Sequence, residues 1–169
     1  MALSNRIPGR LRIGTCSWKY RSWAGILYSG ENVSDYLSQY SHVFNTVEVD
    51  QWFWSLFPGS VVLPKPATVK NYAAAVPDGF TFSVKVPNSI TLTHYYRKSK
   101  TAPLQPNDHF LSVSLFNEFL KTLQPLQNKL GPLMFQFEYL NRQKMPGQSE
   151  FMKRFQAFIR QLPKDCTYA

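Results

Sequence analysis

The sequence predicts an α/β fold. Short β-branched or aromatic runs alternate with stretches whose apolar residues recur at helical spacing, and Gly or Pro marks most of the junctions between them. Parallel strands with right-handed crossovers follow, because each intervening helix must return the chain to the same end of the sheet. The length of 169 residues suits one domain with a real hydrophobic core. With 44% apolar and 15% aromatic residues, an intrinsically disordered chain is excluded.

The elements come in order. Arg12 to Cys16 reads as a first strand that ends at Ser17-Trp18 and feeds a Gly- and aromatic-rich loop from Lys19 to Gly30. Tyr36, Leu37 and Tyr40 predict a helix, and Phe44 to Val49 a second strand. A loop through Pro58, Pro64 and Pro66 leads to Thr68, read as an N-cap, after which Val69, Tyr72, Ala73 and Val76 share a helical face before Pro77. Phe80 to Val86 alternates as a third strand. A polar connection from Pro87 to Asp108 precedes a helix striped by Phe116, Phe119, Leu120 and Leu123. Gly131-Pro132 introduces a fourth strand, Leu133 to Phe137. Phe151, Phe155, Phe158, Ile159 and Leu162 mark a last helix, capped by Ser149 and stopped by Pro163, before a fifth strand starts at Cys166. Four β-α units plus the start of a fifth strand fit either an open doubly wound sheet or a barrel. A closed eight-stranded barrel typically takes about 250 residues, with a lower bound of about 200, so this chain does not close one alone.

Particular motifs favour the barrel. Gly14-Thr15-Cys16-Ser17-Trp18, followed by Trp23, Gly25 and Tyr28, resembles the opening signature of the YecE-like family, a domain of unknown function with a TIM-barrel-like fold. Phe44-Asn45-Thr46-Val47-Glu48 is similar to the family's second-strand motif, Phe82-Ser83-Val84-Lys85-Val86-Pro87 to its third, and Leu130-Gly131-Pro132-Leu133-Met134-Phe135-Gln136 to its fourth. The resemblance implies a partial TIM-like (β/α) barrel, a single incomplete domain over residues 1–169 that lacks the C-terminal half of the family's domain. An open strand edge would then need cover from a second copy or a separate C-terminal polypeptide; an inactive truncated product is the alternative. The chain departs from the family at Asp50-Gln51-Trp52-Phe53-Trp54, at Glu138-Tyr139 where a proline pair is common, and at His94, which falls late after Ile90-Thr91.

The formal charge of +9 favours anionic partners. Basic residues are scattered apart from Arg97, Lys98 and Lys100, followed by Arg142 and Lys144, and no nucleic-acid motif accompanies them, so a solvated basic surface is the plainer reading. Cys16 and Cys166 lack the spacing of a zinc site and the density of a disulfide scaffold, which fits a reducing cytoplasm, and Cys16 is expected to pack in the core. Arg6 and Arg10 precede no apolar stretch of signal-peptide length, and no segment is long and apolar enough to span a membrane.

In barrels the working residues sit at the carboxyl ends of strands. That rule selects Ser17 and Trp18, Glu48 and Asp50, Lys85, then Gln136 and Glu138. Glu48 lies between two valines and Lys85 likewise, so each needs a partner or a solvated cavity, and the two could pair. Glu48 is the predicted general acid or base, Lys85 the anion or oxyanion binder, and His94 the proton shuttle. Ser17, Trp18, Trp23, Tyr28, Asp50, Gln136 and Glu138 are the predicted ligand-binding residues. Trp18, Trp23, Trp52 and Trp54, with Tyr20 and Tyr28, either stack on a ring-bearing ligand or pack on each other as a roof. Glu48, Asp50, Glu138 and His94 have ligating atoms without diagnostic spacing, so no metal site is predicted, and the cofactor is unknown. The expected function is an enzyme acting on a small polar or anionic ligand; a non-catalytic nucleic-acid-binding module is the rival.

Overall fold

The computed structural model describes residues 11–30, 33–97, 99 and 101–169; Arg6, Arg10, Lys98 and Lys100 fall outside the described residues. Five α-helices and five strands are formed: α1 (Tyr36–Ser41), β1 (Thr46–Val49), β2 (Leu56–Phe57), β3 (Ser60–Val61), α2 (Pro66–Ala74), β4 (Thr81–Lys85), α3 (Asn88–Thr91), α4 (Val113–Leu123), β5 (Leu130–Met134) and α5 (Gln148–Ile159), counted among the described residues. β1, β4 and β5 make a three-stranded sheet in chain order. β1 and β4 are parallel, with Glu48 opposite Ser83 and Val49 opposite Val84. The mixed α/β class is therefore as the sequence predicts.

The chain divides into two compact units. The first comprises Met1–Asp50, Pro64–Val84 and Thr122–Pro132, and the second Gln51–Leu63, Lys85–Lys121 and Leu133–Ala169.

In the first unit, alternation along β1 and β4 buries Val47, Val49, Phe82 and Val84 and leaves Thr46, Glu48, Thr81 and Ser83 half-buried on the other face. Tyr40 anchors the N-terminal segment. Its hydroxyl accepts from Thr15 N (2.8 Å) and reaches Thr46 O (3.1 Å). Residues 12–16 run beside β1 without forming the expected strand. Glu48 N donates to Thr15 O (2.9 Å), but Ile13 N turns to the Asn45 side chain (2.9 Å) and Thr15 N to Tyr40, so side chains take the places of ladder partners. Gly14 permits this close approach, because a Cβ there would lie 2.0 Å from Thr46 O. Cys16 is exposed, which corrects its expected place in the core; the irregular segment turns it outward. α2 starts at Pro66, with Lys65 and not Thr68 as N-cap, since a proline at the first helical position has its φ pre-set and no N–H to satisfy.

In the second unit, Phe116 of α4 sits among Phe135 (5.7 Å between ring centroids), Phe158 (5.8 Å) and Tyr168 (6.1 Å). The chain end lies along the exit of β5. Leu133 N donates to Thr167 O (2.9 Å), Ala169 N to Leu133 O (3.0 Å) and Phe135 N to Ala169 O (2.8 Å), with Leu133 and Tyr168 bridged in parallel. β5 begins at Leu130, ahead of the expected Leu133, so Gly131-Pro132 lies inside it. Gly147 and not Ser149 is the N-cap of α5. The β2–β3 hairpin lies in the stretch that the sequence predicts as loop: its two-residue strands are too short to show alternation, and Gly59 supplies the positive φ (76°) of its turn. Among the described residues no helix is long and apolar enough to cross a membrane.

Candidate functional site

The second unit builds its surface on a buried polar knot. Pro87 ends the run out of β4, and Asn88 then donates its N–H to Phe53 O (2.7 Å). The Asn88 side-chain oxygen accepts from Ser55 N (2.9 Å), Leu56 N (2.9 Å) and Ser55 Oγ (3.1 Å), and Ser55 Oγ also donates to Ser89 Oγ (2.8 Å). Asn107 donates to Ser89 O (2.8 Å) and Leu92 O (2.6 Å). Every member is buried, so these bonds are made away from competing water and hold the loops firmly. From this base residues 93–97 rise as one arm of an irregular ladder. Asn107 N meets Thr93 O (3.0 Å), Tyr95 N meets Gln105 O (2.9 Å), and His94 bridges Pro106 antiparallel.

A second loop leaves β5 toward the same arm. Asn141 shapes it: its side-chain oxygen accepts from Gln143 N (3.0 Å) and Lys144 N (3.2 Å), as Asn does in tight turns, and buried Met145 pins the far end. Lys144 consequently reaches back to Glu138 Oε2 in a salt bridge, both side chains being 21% exposed. Glu138 Oε1 is buried without a hydrogen-bond partner. Arg97 Nη2 contacts Gln143 Oε1 (3.4 Å). Between arm and loop lies a cleft of about 560 Å³ lined by Tyr95, Tyr96, Arg97, Asn141, Gln143 and Lys144, among others. A second hollow of about 370 Å³ shares Tyr95, Tyr96, Arg97 and Leu104 and is completed by Pro58, Ala102, Pro103 and Pro106.

Electrostatics tie the cluster together. Burial lowers the His94 pKa, the Lys144 and Arg97 charges lower it further, and Glu138 opposes them. His94 is thereby biased to the neutral imidazole at pH 7, its Nδ1 set 2.9 Å from Thr93 Oγ1. Burial raises the Tyr96 pKa, an effect that the Asn88 side chain offsets and the Glu138 charge reinforces. The two cations, side-chain amides and phenols that line the cleft can together hold an anion, and His94, just outside the lining, can accept a proton.

Of the residues predicted for a site, Lys85, His94, Gln136 and Glu138 fall in the second unit. Glu138 and His94 belong to the cluster just described. Lys85 Nζ lies over the Phe53 ring at 5.7 Å, and Gln136 is exposed.

Ser17, Trp18, Trp23, Tyr28, Glu48 and Asp50 fall in the first unit. Trp18 and Tyr28 are 4% and 2% exposed: Tyr28 donates its hydroxyl to Trp18 O and stacks on Tyr36 at 4.0 Å, while Trp18 meets Tyr72 edge-on at 4.9 Å. Trp23 packs on Tyr20 (4.6 Å). Ser17 O accepts from Thr15 Oγ1 (2.6 Å), its Oγ accepts from Lys19 N (3.3 Å), and Glu48 is half-buried on β1. Cys16 and the Asp50 charge both raise the Tyr20 pKa, the Cys16 hydrogen bond most. No three His, Cys, Asp or Glu side chains converge as a metal cluster among the described residues.

Sequence reasoning missed Ser55, Asn88, Ser89 and Asn107, whose role is visible only through the loops they join. It noted Arg97 and Lys144 as basic residues without bringing them together. The signal available was Asn141, a turn-former three residues before Lys144.

The family profile described as "Protein of unknown function DUF72" matches residues 12–169. No curated protein matches the chain. Two crystal structures of a DUF72 family protein from Enterococcus faecalis V583 are similar to it, with TM-scores of 0.62 and 0.57 at 18% and 20% identity. Each alignment covers 93% of this chain and 48% or 49% of the other, so the chain spans about half the length of these relatives.

Proposed function

Since the chain belongs to the DUF72 family, whose function is unknown, we propose its role from the site: the second unit binds a small anionic ligand in the cleft between residues 95–97 and 141–144, with His94, which precedes Tyr95 outside the lining and feels the Lys144 and Arg97 charges, as proton acceptor. The observation that carries this reading is the convergence of Arg97 and Lys144 on a cleft of about 560 Å³ edged by amides and phenols, within the usual span of about 300–1,000 Å³ for small-molecule sites. Glu138 orients Lys144 and lowers the cost of holding that cation half-buried. Arg97 offers the planar fork suited to carboxylate or phosphate.

The wider frame we propose is part of a (β/α) barrel. Support comes from parallel strands in chain order, from the last residues lying beside β5, and from the likeness to the two crystal structures. In that frame the cleft residues follow the carboxyl ends of β4 and β5, where barrel chemistry is placed.

The test is calorimetric titration of the full chain with inorganic phosphate. Saturable binding that weakens about tenfold or more in R97A is expected, since a charge-assisted hydrogen bond contributes about 1.5–3 kcal/mol. Equal affinity in R97A and the parent contradicts the reading.

A further inference from the structure

The anion-binding reading leaves the apolar half of the groove without a purpose. The two hollows are unlike: one is edged by Asn141, Gln143 and Lys144, the other by Pro58, Pro103 and Pro106, and they meet at Tyr95, Tyr96 and Arg97. At that junction Tyr96 is 56% exposed, and beside it, outside both linings, Trp54 is 61% exposed, the two rings 6.0 Å apart and tilted by 40°. Large aromatics normally bury their faces, so two adjacent exposed rings beside a basic cleft call for an occupant.

Neither ring is loose. Trp54 rests edge-on against buried Phe53 at 5.3 Å, and Phe53 O is held by Asn88 N at 2.7 Å. The exposed pair therefore stands on the buried knot of Ser55 and Asn88, which limits the entropy lost when something stacks on it.

Resting on the anion-binding reading, we infer that the ligand is bipartite: a phosphate held by Arg97 and Lys144, joined to a flat ring that lies against Tyr96 and Trp54, the chemistry of a nucleoside monophosphate. Aromatic faces accept any base with little regard to identity, so the site would recognise ring plus phosphate more than a particular base. Arg97, next to Tyr96 in the chain, is positioned to serve both halves.

The test titrates the full chain with AMP, adenosine and inorganic phosphate, and repeats AMP and phosphate on Y96L and W54A. AMP is expected to bind at least about tenfold tighter than phosphate, in keeping with the known contribution of base–aromatic stacking. Either variant should erase most of that advantage, and W54A, whose ring lines neither hollow, should leave phosphate affinity as it was. Thermal melts of both variants verify folding, and W54A, altered at an exposed position, keeps the test valid if Y96L unfolds. Phosphate binding with no added affinity for AMP overturns this inference and spares the anion-binding reading; binding of none of the three overturns both. Tight binding of an oligothymidylate with none of AMP also overturns it, in favour of a polymeric nucleic acid.

Discussion

The two units treat aromatic and polar residues in opposite ways. The first turns Trp18, Tyr28, Tyr36 and Tyr40 inward, and the hydroxyls of Tyr28 and Tyr40 bond to the unit's own backbone. The second buries Ser55, Asn88, Ser89 and Asn107 and leaves Trp54, Tyr96 and Arg97 exposed. Among the described residues the first unit has one buried orphan oxygen and the second has two: Tyr36 Oη lies in an aromatic stack, whereas Thr91 Oγ1 lies in α3 and Glu138 Oε1 belongs to a carboxylate already paired with Lys144. Aromatic density along the chain therefore marks packing in both units, with Phe116, Phe135 and Phe158 packed in the second, and the exposed pair Trp54 and Tyr96 stands apart from it. What separates the cases is the buried polar support beneath the exposed groups.

The contrast is most sharply tested at Asn88. N88A removes the common acceptor of Ser55 N, Leu56 N and Ser55 Oγ, all buried, and is expected to destabilise the protein by about 3 kcal/mol. Hydrogen exchange should show the Ser55 and Leu56 amides losing protection while the β1 amides keep theirs. Comparable loss in both places would break the distinction between the units. G14A is the first unit's counterpart. Its new Cβ must displace the Thr46 carbonyl, now at 2.0 Å, and overpacking of this kind costs about 1–3 kcal/mol in denaturant unfolding. Phosphate affinity should be unaltered in the folded protein.

Y28F is expected to cost about 1 kcal/mol, because Trp18 O loses its donor. It also changes the response to alkali. Burial, followed by the neighbouring Tyr40 and Tyr36, pushes the Tyr28 hydroxyl up to about 12 from 10.0. The folded state thus retains a proton that the unfolded state releases, and stability falls as pH rises from about 10 toward 12. Unfolding curves across that window should lose part of their slope in Y28F. The smallest effect is expected at His94. Its lowered pKa means the unfolded chain takes up a proton first, so stability declines as pH falls below about 6.5, and H94Q should flatten that limb of the profile.

Much of the fold was legible because burial imposes period. Val47 and Val49 in β1, Phe82 and Val84 in β4, and Phe116, Phe119 and Leu123 in α4 are buried as their spacing predicts. Residues 12–16 were misread because their β-like composition serves contacts to Asn45 and Tyr40, which no local pattern reveals. Thr68 and Ser149 were read as caps on residue type alone, whereas Pro66 and Gly147 stand at the helix starts. The site was less legible. Glu138 and His94 were reached by the strand-end rule and by residue type, but Tyr95, Tyr96 and Asn141 carry no period, and their convergence depends on the turn that Asn141 shapes and on the Arg97–Gln143 contact between loops distant in sequence.

The most direct measurement is an amide-resolved NMR titration of the full chain with inorganic phosphate. The account predicts saturable shifts at Tyr95, Tyr96 and Arg97 and at Gln143 and Lys144, with Trp18, Tyr28 and Glu48 unmoved. Saturable shifts centred on Ser17, Trp18 and Glu48, or none anywhere, would contradict it.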